Sequence, residues 1–137
     1  MKNLIKDFLN KKNVFAVIGV SKDPKKYGNK VYLELKKKGY QVYPINPNIK
    51  KINGEKCYSD IKKLPSKPDV VETIVKPTIT EKIVKTCKKL GIDKVWMQPG
   101  SESEKAIEYC KKNNIKVLHN ICIMVERKKL SKREETK

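Results

Sequence analysis

The feature of this sequence that most restricts its fold is a short, unbroken apolar segment near the amino terminus. Residues Val14–Ile18 are all apolar, are rich in β-branched side chains, and end at Gly19. A continuously apolar strand is one whose two faces are both covered, as in the parallel sheets of α/β proteins. The segment therefore predicts a buried parallel strand followed by a tight turn.

Strands and helices alternate along the rest of the chain. The pattern predicts a first helix within residues 1–13, packed on the protein's own core, and helices that end at Gly39 and Gly91. Four more strands are predicted at residues 40–45, 69–75, 94–97 and 115–118. Successive βαβ units with right-handed crossovers predict a Rossmann-like three-layer α/β fold with a five-stranded parallel sheet in the order 3-2-1-4-5.

The length of the chain limits its organisation and function. With 137 residues it is large enough for one domain, predicted at 1–126, but too small for a cofactor domain plus a substrate domain. This argues against a complete dehydrogenase. Residues 127–137 lose the apolar periodicity and are interpreted as a charged, frayed tail. No apolar run approaches the ~20 residues that span a bilayer, so no membrane association is expected.

The formal charge of +18 raises the possibility of nucleic-acid binding. However, Arg127 and Arg133 are the only arginines, and the lysines are scattered over the predicted outer faces of helices. Proteins that read phosphates and base edges usually favour arginine for its bidentate geometry. We therefore favour a solvated lysine coat, and nucleic-acid binding stays an alternative motivated by charge alone.

The cysteines and the single histidine give no sign of a metal or catalytic centre. Cys57, Cys87, Cys110 and Cys122 are too widely spaced for a zinc ribbon or a C-x-x-C pair, and we expect free thiols in a reducing cytoplasm. Because His119 is the only histidine, a histidine-based metal cluster is excluded, and we expect a structural role for it. No catalytic triad or carboxylate pair emerges from the spacing.

Two loops carry the binding chemistry. The loop after the first strand begins at Gly19, ends at Gly28 and opens a helix, an arrangement that favours a phosphate on the free amides of the helix start. An ordinary βα loop with incidental glycines is the alternative. The second strand is followed by Asn46, with Lys50 and Lys51 close behind, where NAD-binding domains carry an acidic ribose ligand. Basic residues there suit a phosphorylated ribose, as in coenzyme A or NADP.

Several short motifs occur in an order that resembles one family. From about residue 14 to 126 the sequence is similar to the small stand-alone CoA-binding proteins, which are related to the CoA-binding domain of succinyl-CoA synthetase. Lys76 and Arg127 depart from that pattern, which more often has Arg and His at these positions. The matching motifs are residues 17–21, 24–28, 42–47, 54–58, 76–77, 95–100 and 120–122.

This resemblance implies a binding site for coenzyme A along the loops that follow the strands. The implied contacts are Gly19, Val20, Ser21, Lys22 and Gly28 for the diphosphate, Asn46 and Pro47 for the adenosine, Lys50 or Lys51 for the 3′-phosphate, Lys76 and Pro77 for the adenine or the start of the pantetheine arm, and Gln98, Pro99 and Gly100 for the path of that arm.

The expected function is binding of CoA or an acyl-CoA, without catalytic residues and with the acyl group left open. An alternative is a subunit of an NADP- or CoA-dependent enzyme whose partner chain supplies the chemistry, and a homo-oligomer is also compatible with the sequence. Cys57 and Cys122 follow strands toward the predicted ligand rim. In one interpretation, Cys57 or Cys122 reacts with the CoA thiol. In the other, both cysteines are packed in the core and unreactive.

Overall fold

The computed structural model describes residues 1–135, which form a five-stranded parallel sheet with helices on both faces. The Rossmann-like parallel sheet predicted from the sequence is confirmed. The sheet contains β1 (Val14–Ile18), β2 (Gln41–Ile45), β5 (Val70–Thr73), β6 (Lys94–Met97) and β7 (Lys116–Leu118); the helices are α1 (Lys2–Phe8), α2 (Tyr27–Lys37), α3 (Pro77–Leu90), α4 (Glu104–Lys112) and α5 (Ile123–Glu135); and a hairpin of β3 (Lys51–Ile52) and β4 (Glu55–Lys56) precedes a 3₁₀ turn at Ile61–Lys63.

The strand order differs from the predicted one. The sheet runs β2-β1-β5-β6-β7, which is 2-1-3-4-5 for the five parallel strands, so the expected order 3-2-1-4-5 is wrong. Pro44 in β2 explains the difference, because its carbonyl faces the outer edge, where it accepts from the Tyr58 N–H at 2.9 Å. Its nitrogen has no proton to offer a strand on that edge. Strand β2 therefore ends the sheet, and β5 pairs with β1 instead.

Both faces of the sheet are covered, as the continuous apolar character of β1 predicts. Phe15 faces the layer made by α1, α2 and α5, whereas Ala16 faces α3 and α4. Phe8 of α1 is fully buried and meets Trp96 edge to face, with ring centroids 6.0 Å apart. This contact confirms that the first helix packs on the core of the protein.

The carboxyl-terminal segment is helical where a frayed tail was expected. Helix α5 continues through residue 135, its Leu130 packs against the core, and Arg127 is only 2% exposed. Arg127 lies one turn after Ile123, so a basic side chain occupies a core-facing position and interrupts the apolar periodicity. Residues 136 and 137 lie outside the described residues, and the domain boundary at 126 stays a prediction.

Candidate functional site

The observed strand order places the reversal of the sheet between β1 and β5. In open parallel sheets, ligands bind outside the carboxyl ends of the strands at such a reversal. The two loops concerned are in direct contact, because the Ile74 N–H donates to the Ile18 carbonyl at 2.8 Å. The loop that follows Ile18 is therefore held at the predicted position of a ligand crevice.

Gly19 is required by this contact for two reasons. Its φ of +101° lies in the left-handed region, and a Cβ at this position would come within 2.1 Å of the Ile74 carbonyl oxygen. The N–H groups of Gly19 and Val20 both point at the Ile45 carbonyl, at 3.0 and 3.4 Å. The turn after β1 is thus tied to both neighbouring strands.

The absence of a side chain at Gly28 serves packing, a role that the sequence pattern did not reveal. A Cβ at this position would lie 2.0 Å from the Gly19 carbonyl oxygen and 3.2 Å from the Val20 Cα. The space beyond Gly28 is therefore filled by the loop after β1, and the missing side chain lets helix α2 approach that loop. A contact between the Gly28 N–H and a phosphate stays a prediction.

The start of α2 combines a rigid loop with an uncapped helix end. Lys26 at the N-cap is extended and, among the described residues, no side chain caps the first turn. The Ser21 hydroxyl accepts from the Asp23 N–H at 3.0 Å, and the Asn29 amide donates to the Ser21 carbonyl at 3.0 Å. Free amides of a helix start beside the exposed cation of Lys22 form an arrangement that suits an anion.

Asn46 connects the loops that follow β1 and β2. Its side-chain nitrogen donates to the Val20 carbonyl at 2.8 Å, and its side-chain oxygen accepts from the Asn48 N–H at 2.8 Å. The side chain predicted to border the adenosine is therefore occupied in holding two loops together. Its backbone N–H donates to the Tyr58 carbonyl at 2.9 Å, which extends the same brace to the outer edge of β2.

A cleft rich in lysine lies outside the end of β2. It has a volume of about 680 Å³, and none of its lining residues, all within the described part of the chain, is acidic. Burial raises the pKa of the Cys57 thiol in this cleft, and the hydrogen bond to the Asn46 carbonyl and the charge of Lys22 partly offset that effect. The predicted phosphate ligands Lys50 and Lys51 line the cleft. The full lining is Asn46, Pro47, Ile49, Lys50, Lys51, Lys56, Cys57, Tyr58, Ser59 and Lys63.

A smaller apolar cleft adjoins the lysine cleft and shares Pro47 and Ser59 with it. Its volume is about 280 Å³, and it lies between the end of β2 and helix α3. Ile61, Ile79 and Ile83 were not among the predicted site residues, because apolar side chains at helical spacing give no sign of a binding role in the sequence. The apolar members of the lining are Ile18, Ile45, Pro47, Ile61, Ile79 and Ile83.

A third cleft, of about 440 Å³, crosses the ends of β5 and β6. Four of the predicted contacts line it together, namely Lys76, Pro77, Pro99 and Gly100. These residues meet because the carboxyl ends of adjacent parallel strands share one edge of the sheet. The third cleft is continuous with the strand reversal through Ile74, which lines it and contacts the loop after β1.

Gln98 does not line the third cleft, although the sequence suggested that it would. It is 3% exposed, and its side-chain oxygen accepts from the Ile123 N–H at 3.2 Å while its side-chain nitrogen donates to the Cys122 sulfur at 3.1 Å. Its carbonyl accepts from the Ser101 hydroxyl at 2.8 Å. Gln98 therefore connects the end of β6 to the start of α5.

The described part of the chain was predicted to contain neither a metal-binding cluster nor a membrane-spanning helix. Within residues 1–135, no group of three or more His, Cys, Asp and Glu side chains is arranged to hold a metal ion. No helix in this range has the length and apolar character needed to cross a membrane. Cys87 and Cys110 are packed, and burial raises the pKa of each thiol to about 12.

Comparison with known proteins identifies the family. Residues 13–128 match the model of the CoA-binding domain. The chain belongs to the CoA-binding domain family. The resemblance seen in the motifs is thereby confirmed.

Relatives of this CoA-binding domain include both large and small proteins. It is 34% identical over 86 residues to the alpha subunit of ADP-forming acetate–CoA ligase II from Pyrococcus furiosus, and the match covers 62% of this chain but only 19% of that protein. It is 27% identical over 125 residues to the uncharacterized protein YneT of Bacillus subtilis, covering 88% of this chain and 90% of YneT. The solved structure of a conserved hypothetical protein from Pyrococcus furiosus superposes with a TM-score of 0.79 at 38% identity, covering 83% of this chain and 98% of that one.

Proposed function

We propose that this protein binds CoA or an acyl-CoA in the cytoplasm as a binding module without catalytic residues of its own. The observation that carries the proposal is the pair of adjoining clefts at the end of β2, one apolar and one lined by lysines. A phosphorylated adenosine has the same division, with a flat apolar base and an anionic ribose phosphate. NAD-binding domains have an acidic side chain at this point that binds the ribose, whereas here Asn46 follows the strand.

Each part of CoA has a matching surface along the carboxyl edge of the sheet. The adenine suits the apolar cleft beside Pro47, and the 3′-phosphate suits Lys50 or Lys51 in the lysine cleft. The diphosphate suits the uncapped start of α2, with Lys22 nearby. The narrow pantetheine arm suits the third cleft, whose lining is mostly uncharged and includes two prolines, a glycine and one lysine.

A second candidate function is supported by the relationship to acetate–CoA ligase. The match to that alpha subunit covers 19% of its length, so the relative carries much sequence that this chain does not match. In this second case the protein presents CoA, or NADP, to a partner chain that contributes the catalytic groups. The two functions share the same binding site and differ in what the protein associates with.

Native mass spectrometry of protein purified without added ligand tests the proposal. We expect a retained CoA or acyl-CoA, and calorimetry should then show tighter binding of CoA than of NADP. Retained NADP would support only the enzyme-subunit function, and retained nucleic acid would support the charge-based alternative. Co-purification of a second chain with CoA would favour the enzyme subunit over the independent module. Protein that neither retains nor binds CoA refutes the proposal.

A further inference from the structure

Cys122 differs from the other three cysteines, all of which the structure describes. Cys57, Cys87 and Cys110 are buried, and burial raises the pKa of each thiol. Cys122 is partly exposed and lies directly before α5, where its carbonyl accepts the first helical hydrogen bond, from the Glu126 N–H at 3.1 Å. Cys122 therefore lies at the amino-terminal end of a thirteen-residue helix, where it is partly open to solvent.

The Gln98 side chain orients a donor at this sulfur. Its nitrogen lies 3.1 Å from the Cys122 Sγ, and its oxygen is held by the Ile123 N–H at 3.2 Å. Because the oxygen is fixed by the backbone of α5, the amide nitrogen must face the sulfur. A hydrogen-bond donor aimed at sulfur stabilises negative charge on it.

A buried carboxyl group provides a second, independent observation. Glu72 is fully buried, and neither of its carboxyl oxygens has a hydrogen-bond partner among the described residues. Burial raises the pKa of Glu72 well above its usual range, and the charge of Cys122 raises it further. Burial thus favours the protonated, uncharged form of this carboxyl group, which lies close enough to Cys122 to interact with it electrostatically. Unpaired buried polar groups are rare and often mark a catalytic or redox role.

The fold places Glu72 and Cys122 on the same side of the sheet. Glu72 is in register with Trp96 on the neighbouring strand, and both face the layer that contains α5. The Trp96 ring nitrogen donates to the Ile121 carbonyl at 3.0 Å, which fixes the segment carrying Cys122 over this part of the sheet.

Cys122 lines none of the three clefts, but one side-chain contact links its sulfur to the chain segment that forms part of the third cleft. Gln98, which contacts Cys122, is followed directly by Pro99 and Gly100, two walls of the third cleft. We propose that Cys122 exchanges with the disulfide form of CoA and holds CoA as a reversible mixed disulfide. This inference rests on the proposed CoA-binding function and adds a covalent step to it.

The exchange needs no oxidant beyond the CoA disulfide itself. The Cys122 thiol loses its proton to solvent, and the thiolate attacks one sulfur of the CoA disulfide. A bond forms between Cys122 and that sulfur as the original disulfide bond breaks, and the departing CoA thiolate takes up a proton. One disulfide is consumed and one is formed, and a second thiol reverses the step.

The experiment separates this inference from the proposed function. Wild-type protein is first titrated with reduced CoA by calorimetry, and then incubated with CoA disulfide or with glutathione disulfide. Adducts are identified by intact mass and peptide mapping. We expect one CoA on Cys122, removed by reductant and formed at least about tenfold faster than the glutathione adduct, since bound CoA raises its local concentration.

The other outcomes are equally informative. CoA binding without a Cys122 adduct, equal rates with the two disulfides, or an adduct spread over all four cysteines overturns the inference and leaves the proposed function intact. Absence of CoA binding in the first titration removes the proposed function and the inference together.

Variants test the role of Gln98 as a positioning residue. Gln98→Glu keeps an oxygen for the Ile123 N–H but removes the donor to sulfur and adds a negative charge. We expect adduct formation about tenfold slower at neutral pH, with its pH profile moved to higher pH. Cys122→Ser should abolish the adduct, and Cys87→Ala, in the opposite core, should keep it. A Gln98→Glu protein with the wild-type rate and pH profile would refute the positioning role.

Discussion

Replacing Gly28 by alanine tests whether close packing is the reason that position 28 requires a glycine. Gly28 is in the first turn of α2 and has no positive φ, so an alanine there faces no backbone strain. On helix propensity alone, Gly28→Ala would stabilise the protein by up to about 1 kcal/mol. The sign of the effect is therefore decided by the space around the new methyl group.

That space is occupied by backbone atoms. The added Cβ would lie 2.0 Å from the Gly19 carbonyl oxygen and 3.1 Å from the Gly19 carbonyl carbon. Backbone cannot rotate away as the end of a side chain can, so either α2 or the loop after β1 must shift. Overpacking of this kind costs about 1–3 kcal/mol or more. After the propensity gain is subtracted, we expect a net loss of about 2 kcal/mol and a fall in Tm of about 5–10 °C.

Thermal and urea unfolding of Gly28→Ala, compared with wild type, measure this loss. Gly54→Ala is the matched control, because Gly54 has open space around its Cβ and a φ of +78°. It should lose only the cost of the left-handed backbone, about 1 kcal/mol. If Gly28→Ala were neutral or stabilising, the packing argument would be wrong, and Gly28 would be free to serve the ligand alone.

Three further predictions concern side chains of the lysine cleft, the loop after β2 and the core. Lys50→Ala combined with Lys51→Ala should lower the calorimetric affinity for CoA by about tenfold and leave that for dephospho-CoA nearly unchanged, because we propose that these charges bind the 3′-phosphate. Lys88→Ala, at the end of α3, controls for net charge. Asn46→Ala should reduce the free energy of unfolding in urea by about 1–3 kcal/mol, since it removes one hydrogen bond between loops, to Val20, and one within the loop after β2, from Asn48. Glu72→Gln should flatten the pH dependence of stability. Because the pKa of Glu72 is raised in the folded protein, its contribution to the free energy of unfolding is fully present below the ordinary value of 4.5 and is lost as pH rises through the raised value. Urea denaturation at increasing pH should therefore show the stability of wild type decreasing relative to that of Glu72→Gln.

The strands and helices could be predicted because their signals are local. The apolar run of β1 and the glycine stops after α2 and α3 lie within single elements. Pairing between strands is not local, and the predicted order failed there. One local signal was available, since Pro44 within β2 marks an edge strand. The tail prediction failed because Arg127 buries its side chain at a core-facing position of α5.

The candidate site was predictable where it depends on strand ends. Lys76, Pro77, Pro99 and Gly100 line one cleft because each follows a strand of the same parallel sheet. Gln98 also follows a strand, but its side chain turns inward to the start of α5. The direction of a side chain just beyond a strand depends on the next loop, which the sequence pattern does not specify.

The corrected strand order favours CoA over a dinucleotide. In the expected order the loop after β1 would border the loop after β6, whereas in the observed order it borders Ile74 and the loop after β5. The lysine cleft and the apolar cleft lie at the end of β2, and the third cleft lies at the ends of β5 and β6, so all three open along the carboxyl edge of the sheet. A dinucleotide would need a second nucleoside pocket beyond the diphosphate. The third cleft offers prolines, a glycine and a single lysine instead, which suits a thin, uncharged arm better than a charged nicotinamide and its ribose.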